Sequence, residues 1–170
     1  MSKLTSSATA REGDYQCSIK APISAKEAFD KISRVSEWWA KDFKGSARRP
    51  GDTFTVRFGE TFVNFKIVEA VPDTRIVWQV ADSNLHRLRN KTEWNGTSVV
   101  WELSPHNGTT TVTMTHRGLV PGIECYGTCE EGWNFYVAKS LLQFITEGEG
   151  LPDGRRRSPD PFKIGRKEAT

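Results

Sequence analysis

Four residues of this sequence carry side chains that could do chemistry within a short stretch of chain: His116, Cys125, Cys129 and Tyr136. An imidazole titrates near neutral pH, so His116 could act as a general base, with Tyr136 as a second proton carrier. It could also be a polar group that orients a ligand. For catalysis we favour a third interpretation, a core or rim histidine bonded to a neighbouring backbone group, and we assign no catalytic residue.

The two cysteines Cys125 and Cys129 could be combined with His116 into a zinc or redox site. Structural zinc sites, however, usually contain cysteines two residues apart and in pairs, and only one histidine is expected nearby. We therefore predict buried thiols beneath the start of a helix, with no metal site. A reversible disulfide between the two cysteines remains an alternative. The odd total of three cysteines is typical of a reducing compartment and favours a cytoplasmic protein.

Motifs of the common enzyme classes are missing from the sequence. It contains no nucleophile elbow, phosphate loop, HExxH run or dinucleotide fingerprint. We expect no cofactor, and we favour binding over turnover. Any catalysis would be of the kind in which a dry cavity folds an apolar substrate and one polar group, His116 or Tyr136, moves a proton.

Charge and hydropathy exclude two further classes of protein. The chain of 170 residues has 24 basic and 21 acidic residues, and the stretch from Asp153 onward holds six of the basic and three of the acidic ones. The neutral remainder predicts no nucleic-acid binding by the fold, and no apolar run reaches the roughly 20 residues of a membrane span. We predict a flexible leader at 1–12, one domain at 13–152 and a flexible basic tail at 153–170.

Hydrophobic periodicity predicts an α+β fold. Ser24 and Glu27 form a capping box ahead of a helix, and a second short helix runs through Trp38 and Trp39. Alternation predicts half-buried strands at 15–19, 53–58, 61–69, 75–80, 98–103 and 110–116, and a less regular loop at 82–94 that ends in a strand at 91–94. Gly59-Glu60 and Asn107-Gly108 are predicted hairpin turns, the second of type I′.

A long amphipathic helix is predicted from about residue 128 to 147. Thr128 and Glu131 resemble a second capping box, and Gly148 ends the apolar stripe. At 1.5 Å per residue such a helix would be roughly 30 Å long, enough to cross a curled sheet. The expected fold is a curved antiparallel sheet of about six or seven strands around this helix, with two short helices after the first strand.

This order of elements resembles the START-like (SRPBCC, helix-grip) superfamily, in the AHSA-type branch named for activators of the ATPase of a heat-shock chaperone. The resemblance covers about residues 13–152. It is carried by residues 21–29 (APISAKEAF), Trp78, residues 111–119 (TVTMTHRGL), the pair Gly132-Trp133 and residues 140–142 (SLL).

The resemblance implies a cavity between sheet and helix that binds a small hydrophobic or amphipathic ligand. Adjacent residues of a short helix cannot both face inward, so one of Trp38 and Trp39 should lie near the cavity mouth. We expect Trp133 to be a pocket wall and His116 to border the cavity. The predicted pocket residues are Trp39, Phe54, Val56, Phe58, Val63, Phe65, Trp78, Trp101, Met114, His116, Trp133, Tyr136, Val137 and Leu141.

Two other functions fit the same resemblance. One is a cofactor-free enzyme of the cyclase or hydrolase type that uses the same cavity. The other is a co-chaperone-like interaction module in a stress response, which we disfavour because the eukaryotic activators carry an additional amino-terminal domain for which this chain has no room. A weak homodimer is a further expectation.

Overall fold

Seven antiparallel strands form one curved sheet in the computed structural model, which describes residues 13–154. The strand order is β1-β7-β6-β5-β4-β3-β2, so the first strand lies beside the last. The strands are β1 (Tyr15–Ala21), β2 (Asp42–Gly45), β3 (Thr53–Phe58), β4 (Thr61–Val71), β5 (Arg75–Asn84), β6 (Ser98–His106) and β7 (Thr109–Arg117). The predicted leader and the tail beyond residue 154 lie outside the described residues.

Six of the strands confirm the alternation in the sequence. The exceptions are β2, which was not predicted, and the stretch 91–94, where the predicted strand is wrong. The strand β2 has four residues of which only Phe43 is half-buried, so it has no alternating pattern to recognise. Residues 91–94 form turns because Lys91 folds back on its own loop: its ammonium group donates to the carbonyls of His86 and Leu88.

Both predicted hairpin turns are present. Asn107 and Gly108 have φ angles of 49° and 82°, the positive values that a type I′ turn requires at its two central positions. This turn joins β6 and β7 in a register that pairs Trp101 with Met114 and Val99 with His116. The side chains of these four residues therefore share one face of the sheet.

Two short helices follow β1, as predicted. The helix α1 (Ala25–Ser33) begins at a complete capping box: the Ser24 hydroxyl accepts from the Glu27 amide at 3.1 Å, and the Glu27 carboxylate accepts from the Ser24 amide. The helix α2 (Val35–Trp38) has only four residues.

The C-terminal helix consists of three consecutive segments: α3 (Tyr126–Phe135), a π-helical segment (Tyr136–Leu141) and α4 (Leu142–Glu147). The predicted capping box at Thr128 is wrong, because the helix begins two residues earlier and Thr128 lies inside it. The Glu93 carboxylate, from the loop before β6, instead accepts from the amides of Glu124 and Cys125. Gly148 ends the helix with φ of 86°, as expected.

The core lies between the concave face of the sheet and this helix. Its largest fully buried side chains include Trp38, Trp78, Trp101 and Tyr136. Within residues 13–154, no helix combines the length and the apolar character needed to cross a membrane.

Candidate functional site

Aromatic side chains from the sheet and from the C-terminal helix meet in one layer. Alternation places Phe54 of β3, Phe65 of β4 and Trp78 of β5 on the concave face, with centroid distances of 4.9 to 5.4 Å between their rings. We call the following set the aromatic layer: Trp39, Phe54, Phe58, Phe65, Trp78, Trp101, Trp133 and Tyr136. Spacings of 4.5 to 7 Å are those of rings in direct contact, so these side chains pack against one another between sheet and helix.

Trp39 occupies the centre of the aromatic layer. Its ring stacks on Trp78 with planes 7° apart and centroids at 6.1 Å, and its centroid lies 4.8 Å from that of Trp133. It therefore bridges the sheet and the helix. Trp39 and Trp38 are only 2% and 0% exposed, so the prediction that these adjacent residues cannot both face inward is wrong. The helix α2 ends at Trp38, and Trp39 is its C-cap residue, with φ of -115° and an amide that donates to the Val35 carbonyl.

The other predicted pocket residues lie on the same concave and helical faces. All of the predicted set are buried except Phe58, which is half-buried. Two further tryptophans belong to this region and were not predicted, Trp38 and Trp94. Trp94 comes from the polar loop after β5 and stacks on Trp133, with centroids 6.0 Å apart. A large aromatic residue in an otherwise polar stretch was the only sequence signal for it.

The indole N–H groups divide the six tryptophans into two sets. Trp38 donates to the Ile32 carbonyl, Trp94 to the Cys125 sulfur and Trp133 to the imidazole of His116. The Nε1 groups of Trp39, Trp78 and Trp101 are also buried, but they have no hydrogen-bond partner among the described residues. A buried donor without a partner costs about 1–3 kcal/mol. The aromatic layer therefore contains three buried donors whose hydrogen-bonding capacity is unused within the described residues.

His116 is a neutral imidazole with both nitrogens engaged. Its Nδ1 accepts from Trp133 Nε1 at 3.0 Å, and its Nε2 lies 2.9 Å from Thr97 Oγ1. Thr97 donates its own hydroxyl proton to the Trp94 carbonyl, so the remaining proton of the pair belongs on Nε2 of His116. Burial lowers the pKa of His116 to about 3. The imidazole consequently has no free lone pair with which to take a proton, and its partners are side chains instead of the expected backbone group.

Cys125 and Cys129 are buried at the start of α3, as predicted. The Trp94 indole lies against Cys125, with 3.3 Å between Nε1 and Sγ. The pKa of the Cys129 thiol is raised by its hydrogen bond with Cys125 and by burial. Within residues 13–154 no group of three or more His, Cys, Asp or Glu side chains is arranged to hold a metal ion.

Comparison with known proteins identifies the family. Residues 27–145 match the family model described as "Activator of Hsp90 ATPase homolog 1-like protein". The chain belongs to this family. No curated protein matches it significantly.

Solved structures confirm the helix-grip fold of this Hsp90-activator-like family member. The solution structure of the Aha1 dimer from Colwellia psychrerythraea is 21% identical, with a TM-score of 0.67 over 81% of this chain and 98% of that one. DynU16, a putative protein in the dynemicin biosynthetic locus, is 17% identical, with a TM-score of 0.60 over 82% of this chain and 49% of that one. CalU16 from Micromonospora echinospora is 15% identical, with a TM-score of 0.56 over 78% and 76%.

The π-helical segment of this family member lies directly over the aromatic layer. It buries Tyr136, Val137, Ser140 and Leu141. Inserted π-turns occur frequently at functional sites.

A surface cleft of about 640 Å³ lies beside the turn that carries Trp38 and Trp39. It is separate from the aromatic layer, because none of the predicted pocket residues lines it. Its walls are mostly polar and are formed by Ser36, Glu37, Lys41, Gln143, Glu149, Gly150, Leu151 and Pro152.

Proposed function

We propose that this protein binds a small, uncharged, mainly apolar molecule in the aromatic layer, without catalysing its conversion. The observation that carries the proposal is the set of three buried indole donors, Trp39, Trp78 and Trp101, that have no partner among the described residues. A ligand with acceptor oxygens would satisfy them, while its apolar part would replace ring contacts within the layer.

The surroundings of these donors define the chemistry of the ligand. The buried polar side chains of the described residues are Ser33, Ser83, Thr110, Thr115, His116 and Ser140, and none of them is charged at neutral pH. An ionic group would therefore enter the layer without a counter-ion, at a large desolvation cost. Carbonyl, ether or hydroxyl oxygens on an aromatic or polycyclic skeleton match the donors and the ring faces.

Binding without turnover is supported by the state of His116. A general base needs a free lone pair, and the lone pair on Nδ1 already accepts from Trp133. Among the structural neighbours, DynU16 comes from a biosynthetic locus, which supports a role with small organic molecules. The dimeric Colwellia relative supports our further proposal of a weak homodimer, and the free thiols of Cys125 and Cys129 support a cytoplasmic location.

Two measurements test the proposed function. Native mass spectrometry of the protein purified from its own host should show a bound small molecule, and that compound should raise the melting temperature, because it binds only the folded state. Trp78→Phe keeps an aromatic ring and removes one donor, and it should weaken the affinity about tenfold. Trp38→Phe is the matched control, since the Trp38 donor is already bonded to Ile32.

If no compound accompanies the protein, and uncharged aromatic ketones and ethers leave the melting temperature unchanged, the layer is a structural core. If a compound binds with the same affinity to Trp78→Phe, Trp101→Phe and wild type, it does not use the unpartnered donors.

A further inference from the structure

We propose that residues 150–153, which we call the latch, hold Trp39 in the aromatic layer and that their release admits the ligand. This inference rests on the proposed function, because it describes how the site is opened.

Ser140 joins the latch to the turn. Its hydroxyl donates to the Trp38 carbonyl at 2.6 Å and accepts from the Leu151 amide at 2.7 Å. Ser140 is fully buried and belongs to the π-helical segment. One side chain of the C-terminal helix therefore fixes both the residue before Trp39 and the chain that returns over it.

Asp153 holds the turn from its other side. Its backbone amide donates to the Trp39 carbonyl at 2.8 Å, and its carboxylate accepts from the Lys41 amide. The carbonyls of Trp38 and Trp39 are thus both bonded to the C-terminal part of the chain.

Gly150 lets the latch lie directly against α2. A Cβ atom at this position would be 2.6 Å from the Glu37 carbonyl oxygen and 3.1 Å from Cα of Trp38. Real Cβ atoms do not approach a backbone oxygen so closely, so any larger residue would push the latch away from the turn.

The backbone of Trp39 is held differently from the backbones of Trp78 and Trp101. Trp78 and Trp101 lie on central strands that are hydrogen-bonded on both sides. Trp39 instead follows a helix of four residues, and its carbonyl is held by the latch. The cleft of about 640 Å³ that borders the latch provides space into which the turn could shift. Breaking a few latch bonds would therefore expose the centre of the layer while the sheet stays intact.

Exchange of the indole protons with solvent tests the latch in the absence of any ligand. The six indole signals of the ¹⁵N-labelled full chain would be assigned with single Trp→Phe variants. Ser140→Ala removes both latch bonds of the hydroxyl and should speed exchange at Trp39 about tenfold, with little change at Trp133. Thr146→Ala is the matched control: it removes a hydroxyl from the same helix that bonds only to the Leu142 carbonyl among the described contacts.

Gly150→Ala provides a second, independent variant, since it displaces the latch sterically and keeps the Ser140 hydroxyl. Faster exchange at Trp39 in both variants, with Thr146→Ala like wild type, supports the latch. Unchanged exchange at Trp39 in either folded variant overturns it, and so does an equal increase at every indole, which would indicate general destabilisation. Because no ligand is present, failure here leaves the proposed function standing, and a protein that binds no ligand could still show the latch.

Discussion

The indole of Trp133 donates to Nδ1 of His116 at 3.0 Å, and this bond connects the C-terminal helix to the strand β7. The bond requires a neutral imidazole with its proton on Nε2, since a protonated Nδ1 could not accept. The ring of Trp94 packs edge to face against His116 at 4.6 Å and closes it off from water. His116 is therefore part of the interface between helix and sheet, and its charge state is coupled to folding.

Acid should destabilise the fold through His116. Burial lowers its pKa from 6.5 to about 3, so below pH 6.5 the unfolded chain takes up a proton that the folded protein does not. The free energy of unfolding should then decrease with falling pH by up to about 1.4 kcal/mol per pH unit, and this contribution is constant above pH 6.5. Urea unfolding between pH 7 and pH 5 measures the slope in a range where carboxylates contribute little.

His116→Gln is the variant for this prediction. It keeps a donor and an acceptor and does not titrate, so its stability should be nearly independent of pH between 7 and 5 although it is lower overall. A slope in His116→Gln equal to that of wild type would show that another group causes the acid sensitivity.

A second prediction concerns the start of α3. It distinguishes the capping group in the structure, Glu93, from the one that the sequence predicts, Thr128. Glu93→Ala removes the carboxylate that accepts from the Glu124 and Cys125 amides, and should lower the free energy of unfolding by about 1–2 kcal/mol. Thr128→Ala should change it by less than about 0.5 kcal/mol, because Thr128 is exposed within the helix. Chemical denaturation compares the two, and a larger loss in Thr128→Ala would contradict the assignment.

This pair of residues also shows how far the sequence predicts the fold. The capping box at Ser24 is local, since both partners lie within four residues, and its prediction was confirmed. The same pattern at Thr128 was misleading because Glu93 supplies the cap from more than 30 residues away. Strands with a strict alternation were predicted well for the same reason: their period depends on neighbours along the chain.

The sequence predicts which side chains face the candidate site, but not the contacts that they make inside it. Alternation put Trp78, Trp101 and His116 on the concave side, and the structure confirms that they share it. It could not indicate that Trp38 and Trp39 both turn inward, because this depends on where α2 ends. Which indoles find an acceptor is decided by contacts between distant elements, so the sequence could not identify the three unpartnered donors.

The cysteines give a third prediction, on chemical reactivity. Burial raises the pKa of Cys17, and the contact with Cys125 together with burial raises that of Cys129, so few thiolates form at pH 8. In the native protein a thiol reagent should label Cys17, which is half-buried, before Cys125 and Cys129. In urea all three should react.

Mass spectrometry checks both the order of labelling and the disulfide alternative. Cys17→Ser should abolish the first labelling phase and leave the slow one. A mass increase of two daltons on reduction of the native protein would instead reveal a bond between Cys125 and Cys129, and rapid labelling of either would contradict their burial.

A last prediction concerns the energetics of the indole donors in the free protein. Trp→Phe removes an N–H group and part of the ring. The loss in the free energy of unfolding therefore depends on whether that N–H group is hydrogen-bonded in the folded protein. At Trp38 the change leaves the buried Ile32 carbonyl without this donor, so the free energy of unfolding should fall by about 2–4 kcal/mol. At Trp101 the lost packing is partly offset, because the variant also removes an unpartnered donor that costs the folded state about 1–3 kcal/mol. The net loss in the free energy of unfolding should be smaller by about that amount.

Urea unfolding of the Trp38→Phe and Trp101→Phe variants gives the comparison directly. Trp133→Phe is a second example of a bonded donor, and Trp78→Phe is a second example of an unpartnered one. Equal losses of unfolding free energy at all four positions would mean that the N–H groups of Trp78 and Trp101 are hydrogen-bonded in solution. They would then not be available to bond a ligand.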